Sequence, residues 1–294
     1  ICPGCSTGCN VKVYYNEEGL FRVKPVYNPE VNGYWMCDKG RDVYKFVNRQ
    51  NRLVRAQVKD ASEWQFADAG AVAKAVGKKL RSYDGDEVAL VLTGQYTNEE
   101  YAVILDLFVN QLKSKNVFHW VNNPEQMDEF DGLLLRGDRN PNTRGLNQAL
   151  TKFRVDKSWS DLEKNISKYK MIVVAGPENQ DREVFPDLSE KMGFFKEAQN
   201  LVWLTAGKND LFEQLPGPAW LIPQKTYIEK SGTFVNHSGS EQEISAVTTI
   251  IPGALTLAET ATLLAGKELD VAVRPGVDMN VLKKNYFVNQ RGAL

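Results

Sequence analysis

Cys2, Cys5, Cys9 and Cys37 are the four cysteines of this 294-residue chain, spaced C-x2-C-x3-C-x27-C, and residues 38–294 contain none. Three thiols within eight residues, joined by a remote fourth, suit one metal centre fed by a short loop and a distant anchor. A cubane [4Fe-4S] cluster needs one thiolate at each iron corner and fits that arrangement. Zinc is the second reading, although its sites more often take two separated pairs of ligands. Unligated cysteines are the third. A disulfide framework would call for a short cysteine-dense chain behind a secretory signal, and the opening residues have neither a basic nor an apolar leader. A reducing compartment is therefore expected. With a candidate ligand already at residue 2, the chain reads as an excised piece of a longer protein.

The residues between the thiols suit a wrapped loop. Pro3 presets φ, while Gly4 and Gly8 let the backbone bend so that amides can approach the sulfurs. Such N–H to sulfur contacts help set a reduction potential. A cubane on four thiolates carries net negative charge, so Lys39 and Arg41, just after Cys37, are candidate cofactor-binding cations. A solvated surface charge is the competing reading for each.

Elsewhere the chemistry is thinner. Residues 136–145 form a loop with Arg136, Arg139 and Arg144, which suits either an anion or an exposed turn. His119 and His237 stand far apart and read as structural or incidental. No G-x-S-x-G elbow, G-x-G-x-x-G turn or Walker A loop occurs, so no catalytic residue is assigned and nicotinamide or ATP binding lacks its fingerprint.

The elements that must carry these residues follow from composition and pattern. Thirty-six basic against 37 acidic side chains leave a net charge of −1, which gives no electrostatic case for nucleic acid or anionic lipid. The longest apolar stretches, such as 132–135 and 171–175, are far shorter than the ~18–20 residues of a bilayer span, so no direct membrane insertion is expected. Residues 10–57 read as short strands and turns, with strands at 11–15 and 20–26 around a turn at 17–19 and a turn-rich passage from 48. Helices are expected at 66–83, 101–112 and 256–267, and strands at 87–92, 117–121, 171–175 and 201–205, several of them closing on glycine. That alternation predicts an α/β fold: a small N-terminal β-rich cluster module over 1–57, a Rossmann-like, mainly parallel α/β domain over 58–224, and a ribbon and helix over 225–294 packing on it. The strand-to-turn junctions at Gly94, Gly176 and Gly207 fall where open α/β sheets usually take ligands.

Residues 1–10, 22–25, 28–32 and 35–41 resemble the iron-sulfur module of the molybdopterin oxidoreductase superfamily. The Cys-Asp-Lys-Gly-Arg stretch at 37–41, with 140–145 and 230–236, looks most like the large iron-sulfur subunit of bacterial NADH-quinone oxidoreductase, respiratory complex I. The resemblance implies that Cys2, Cys5, Cys9 and Cys37 hold a [4Fe-4S] cluster and that the body has the molybdopterin-oxidoreductase type of α/β fold. It further implies an oxidoreductase subunit, active only within a complex, that passes electrons among other subunits of a respiratory assembly. Such a subunit would be cytoplasmic and peripheral to the inner membrane through that complex. Molybdopterin is not expected: catalytic members are much longer and often present a cysteine to the metal, and here none follows residue 37. A Ser or Asp ligand stays open, as does a molybdopterin-dependent enzyme such as a formate dehydrogenase, in which Lys39 would lie between cluster and pterin. A zinc-stabilised module with no redox role is the reading from another class.

Overall fold

The computed structural model describes residues 1–60, 63–155, 157–181 and 184–269. After the cysteine loop comes a hairpin, β1 (Val11–Asn16) and β2 (Gly19–Pro25), turning at Gly19 with φ +135°. The expectation of strands and turns as far as 57 fails over residues 38–51. Helix α1 (Asp38–Asp42) and tight helical turns over Val43–Val47 and Arg49–Asn51 follow. The β-branched and aromatic residues there suggest strand, but Val43 and Val47, four apart, bury one side of the helical stretch, and that packing overrides local propensity.

Strands β3 (Ala56–Lys59) and β4 (Trp64–Ala67) have no counterpart in the pattern-based expectation. The sheet thus begins two residues before 58. The helix expected from 66 starts later, because Phe66 and Ala67 finish β4 and Asp68 caps α2 (Ala69–Leu80), accepting from the Ala71 amide at 2.8 Å. Strand β5 (Val88–Leu92) leads to α3 (Asn98–Leu105), opened by a Thr97–Glu100 capping box and widening into π-type turns over Asp106–Gln111. Then come β6 (Val117–His119), α4 (Thr143–Lys152), α5 (Trp159–Asn165), β7 (Met171–Ala175), α6 (Leu188–Phe194), β8 (Leu201–Thr205) and β9 (Ala219–Pro223). A second ribbon, β10 (Gly232–Val235) and β11 (Glu241–Ile244), precedes α7 (Leu257–Leu264). The rest of the expected 225–294 segment, from 270 on, lies outside the described residues.

The main sheet runs β4-β3-β9-β8-β7-β5-β6, parallel from β9 to β6 and antiparallel where β3 meets β4 and β9. Strands β5, β7 and β8 are buried along their whole length, as parallel strands covered on both faces must be. One face packs on α2, α3 and α7 through Val72, Leu80, Ile104 and Leu264; the other packs on α5 and α6 through Leu162, Leu188 and Met192. On the second face Trp203 meets Trp120, Phe195 and Phe212 edge-on at 5.5–6.1 Å, contacts worth about 0.5–1.5 kcal/mol each beyond burial.

Arg52 fastens the cluster module to this sheet. Fully buried, it donates to the carbonyls of Val47, Ala206 and Gln224 at 2.8–3.2 Å and pairs with the equally buried Glu229 at 2.7 Å. Both charges are satisfied, so their burial is tolerated, whereas removing one strands the other. Arg52→Met is expected to cost about 3–5 kcal/mol in urea unfolding, and Arg52→Met/Glu229→Leu to recover part of that loss.

Candidate metal centre

The cysteine loop folds back on itself. The Cys2 amide donates to the Cys9 carbonyl at 2.8 Å, and Gly8 takes φ +70°, a conformation that side chains rarely adopt. Cys2, Cys5 and Cys9 are buried, and Cys37 approaches half-buried from the start of α1. The Cys37 Sγ accepts from the Gly40 amide at 3.3 Å. All four thiols are free of disulfides, and every pair among them is close enough to interact electrostatically. Burial first, and then the neighbouring sulfurs, push the Cys2 and Cys9 thiols up to about 12; burial also raises Cys37, against the Gly40 amide and Arg139. Four thiolates cannot share this space without a cation. Gly40 keeps room beside them: a Cβ there would lie 3.3 Å from the Cys2 sulfur and 3.5 Å from that of Cys37. Among the described residues no three of these side chains are placed to hold a single metal ion, and four thiols are the donor set that a [4Fe-4S] cluster takes, one at each iron corner.

Two distant stretches grip this loop. From one side the Ser6 amide donates to the Asp138 carbonyl at 2.9 Å, Arg139 donates to the Gly4 carbonyl at 3.0 Å, and the Thr7 hydroxyl donates to the Leu134 carbonyl. From the other, the β10–β11 ribbon supplies the His237 amide to Ser6, Asn236 to the Thr7 carbonyl and Gln242 to the Gly8 carbonyl, at 2.8–3.2 Å. Leu134 and Val43 pack with Cys2 and Cys9 and shield the sulfurs from water. The ribbon therefore packs on the cluster module as well as on the α/β body.

Lys39 and Arg41 are both exposed, and Arg41 faces Asp38 at 3.5 Å. Arg139, from outside the cysteine segment, bears on Cys37 and lowers its pKa against burial. It comes from the three-arginine loop, whose other members serve elsewhere: Arg136 stacks over Phe130 at 4.5 Å and Arg144 donates to the His237 carbonyl at 2.8 Å. Lys39 and Arg139 share the wall of a cavity of about 340 Å³ with Gly4 and Asn179. Of the histidines, burial lowers His119 to about 4, and His237 is lowered by burial and then by Arg136 and Arg144.

Residues 1–49 match the molybdopterin oxidoreductase Fe4S4 domain. This N-terminal segment is an Fe4S4 domain of the molybdopterin oxidoreductase superfamily. Among curated relatives, the F420-dependent formate dehydrogenase 2 subunit alpha of Methanococcus maripaludis is 31% identical over 119 residues, 40% of this chain and 18% of that protein. The G subunit of the NADH-quinone oxidoreductase of Pseudomonas putida is 40% identical over 63 residues, 21% of this chain and 7% of that protein. Its counterpart from Yersinia pestis is 37% identical over 81 residues, 28% of this chain and 9% of that protein. The matches span less than a fifth of the length of these relatives, all of which are named as oxidoreductase subunits. No described helix is long and apolar enough to cross a membrane.

Behind the Fe4S4 domain, the carboxyl ends of the parallel strands, where ligands usually enter such sheets, are filled by side chains of the chain itself. Lys230, buried, pairs with Glu100 at 2.8 Å and with Glu178, and its ammonium sits 4.8 Å from the Tyr96 ring centroid. Tyr96 in turn donates to the Gly176 carbonyl at 2.9 Å, and Tyr101 to the Thr93 carbonyl at 2.6 Å. The Gly94 and Gly176 junctions are thus closed by a polar plug that pattern alone does not reveal, because its members are far apart in sequence. Burial lifts the Glu178 carboxyl from 4.5 to about 7, opposed by Lys230 and reinforced by Glu100. A carboxyl raised on folding contributes stability that is present below its unfolded pKa and is lost as pH rises through the folded value. Unfolding midpoints of the wild type should therefore fall between about pH 4.5 and 7, and Glu178→Gln should flatten that slope.

Proposed function

We propose that the chain is the cluster-bearing electron-transfer portion of a multi-subunit oxidoreductase, of the type of the large iron-sulfur subunit of NADH-quinone oxidoreductase, with Cys2, Cys5, Cys9 and Cys37 holding one [4Fe-4S] cluster. The observation that carries this reading is the gathering of four free, mutually interacting thiols at one place inside an Fe4S4 domain. When bound, such a cluster supplies one-electron transfer. The chain's own residues set the conditions. Gly40 donates its amide toward the Cys37 sulfur, and Leu134 and Val43 keep water from Cys2 and Cys9. Arg139 places positive charge near Cys37, which favours the reduced, more negative state, with Lys39 and Arg41 adding positive charge on the exposed side. The NADH-quinone oxidoreductase assignment draws on the 40% and 37% identities to that large subunit and on the self-filled crevice, which leaves the usual ligand position to side chains. In this reading the partners are other subunits of a respiratory complex, and the chain sits on the cytoplasmic side, peripheral to the inner membrane.

A second reading, part of a formate dehydrogenase alpha subunit, is favoured by the longer alignment to that enzyme, 119 residues. Elemental analysis separates the two. Anaerobically purified, dithionite-reduced protein should contain iron and sulfide in equal amounts, about four of each per chain, and give a reduced-cubane EPR signal without molybdenum or tungsten. Molybdenum or tungsten with extractable pterin, in the native assembly, would move the chain to the formate dehydrogenase type, and stoichiometric zinc without sulfide would end the redox reading. Replacing any of the four cysteines by serine should remove most of the cluster signal. Arg139→Gln should leave the iron content in place and make the midpoint potential more negative in a redox titration.

A further inference from the structure

Six of the eleven large apolar side chains exposed among the described residues fall between residues 15 and 35, on the small cluster module. On the outer face of the β1–β2 hairpin one of them, Phe21, joins a concentration of positive charge. Lys12 stands directly opposite Lys24 in the register, and Tyr14 opposite Arg22. Both lysine ammonium groups lie 5.7 Å from the Tyr14 ring centroid, and the Phe21 ring lies 6.5 Å from the same ring, so the five side chains form one continuous patch. Phe21 is 54% exposed, and Lys12, Arg22 and Lys24 are exposed with no carboxylate in ion-pair contact among the described residues. The hairpin's own carboxylates, Glu17 and Glu18, are confined to its turn. Like charges facing each other across a two-stranded sheet oppose its formation. An anionic surface laid on this face would remove that repulsion. Lys12 also follows Cys9 by three residues, which keeps the two Cα atoms within about 11 Å, the reach of three extended residues.

We propose that this outer face docks an acidic one-electron carrier protein, with Phe21 and Tyr14 as the apolar anchor and Lys12, Arg22 and Lys24 as the charged rim. The proposal rests on the cluster reading above. One electron leaves the reduced iron-sulfur centre of the carrier, which is oxidised, and enters the cluster on the cysteine loop, which is reduced; no bond forms or breaks. A protein surface suits the patch better than the alternatives. Three cations fall short of the roughly four to eight that mark an anionic-lipid site, and the lysines already lie over the Tyr14 ring on which a nucleic-acid base would stack. Aromatic anchors inside an Arg-containing rim are the make-up of protein interfaces.

The test uses the full, cluster-loaded chain and an acidic plant-type [2Fe-2S] ferredoxin as the probe, with cluster reduction followed by anaerobic stopped flow. At low ionic strength the Lys12→Gln/Arg22→Gln/Lys24→Gln variant should be reduced at least about tenfold more slowly than the wild type, with the gap closing at high ionic strength. Reduction by dithionite, a small reagent that needs no docking face, should be the same in both. Equal rates with ferredoxin, or slowing by both reductants alike, would overturn the proposal. Binding of the ferredoxin to the immobilised chain is read separately: binding lost in the triple variant supports the surface even if the cluster assignment fails. Salt-sensitive, variant-sensitive binding to phosphatidylglycerol vesicles or to a single-stranded oligonucleotide, with none to the ferredoxin, would give the face to a different occupant and reject the proposal.

Discussion

A nine-residue loop carrying three buried thiols cannot satisfy its own backbone. Apart from the Cys2–Cys9 closure, a longer bond from Gly8 to Cys5 and the Gly4 amide toward the Cys2 thiol, polar groups of residues 4–8 find their partners on other segments: the carbonyls of Gly4, Ser6, Thr7 and Gly8 and the amide of Ser6. Buried peptide groups left unpaired cost about as much as lost hydrogen bonds. The 134–139 stretch, the β10–β11 ribbon and the sheet that supports both are therefore conditions for the loop's shape. Arg52 extends the same dependence, since its carbonyl contacts and its pairing with Glu229 hold the turns after Cys37 against the ends of β8 and β9.

The parts of this arrangement that the amino-acid order displays are those written locally. The cysteine spacing, the alternation in β1 and β2, the continuous apolar runs of β5, β7 and β8, and the Thr256 cap of α7 are readable one stretch at a time. Strand β9 is not, because prolines at 216, 218 and 223 crowd a short apolar run, and its place in the sheet is fixed by pairing with β3 and β8. Residues 38–51 mislead for the opposite reason, since strand-forming side chains there are coiled by the cap at Cys37 and by burial of Val43 and Val47. Arg139 stands more than a hundred residues from Cys37. Its loop is visible as an arginine-rich turn, but only the folded chain separates the arginine that faces the thiols from the two that do not.

The carboxyl ends of the parallel strands are tied together by buried charge. Lys230 lies between Glu100 and Glu178, and with the buried Tyr96 and Tyr101 forms a hydrogen-bonded plug at the strand ends. Such a plug is stable only when every member is satisfied, so it fixes the strand ends as rigidly as a ligand would. The rigidity reaches the ribbon, whose first strand begins two residues after Lys230 and whose turn bonds the cysteine loop.

The two sides of that grip lie about 130 and 230 residues from the loop in sequence. During synthesis the ligand-bearing segment is made before Leu134, Arg139, Asn236 and Gln242, and its backbone can be paired only once they follow. Contacts this far apart close late and slowly. The thiols therefore stay without their full shelter until both of those segments have been made and folded back.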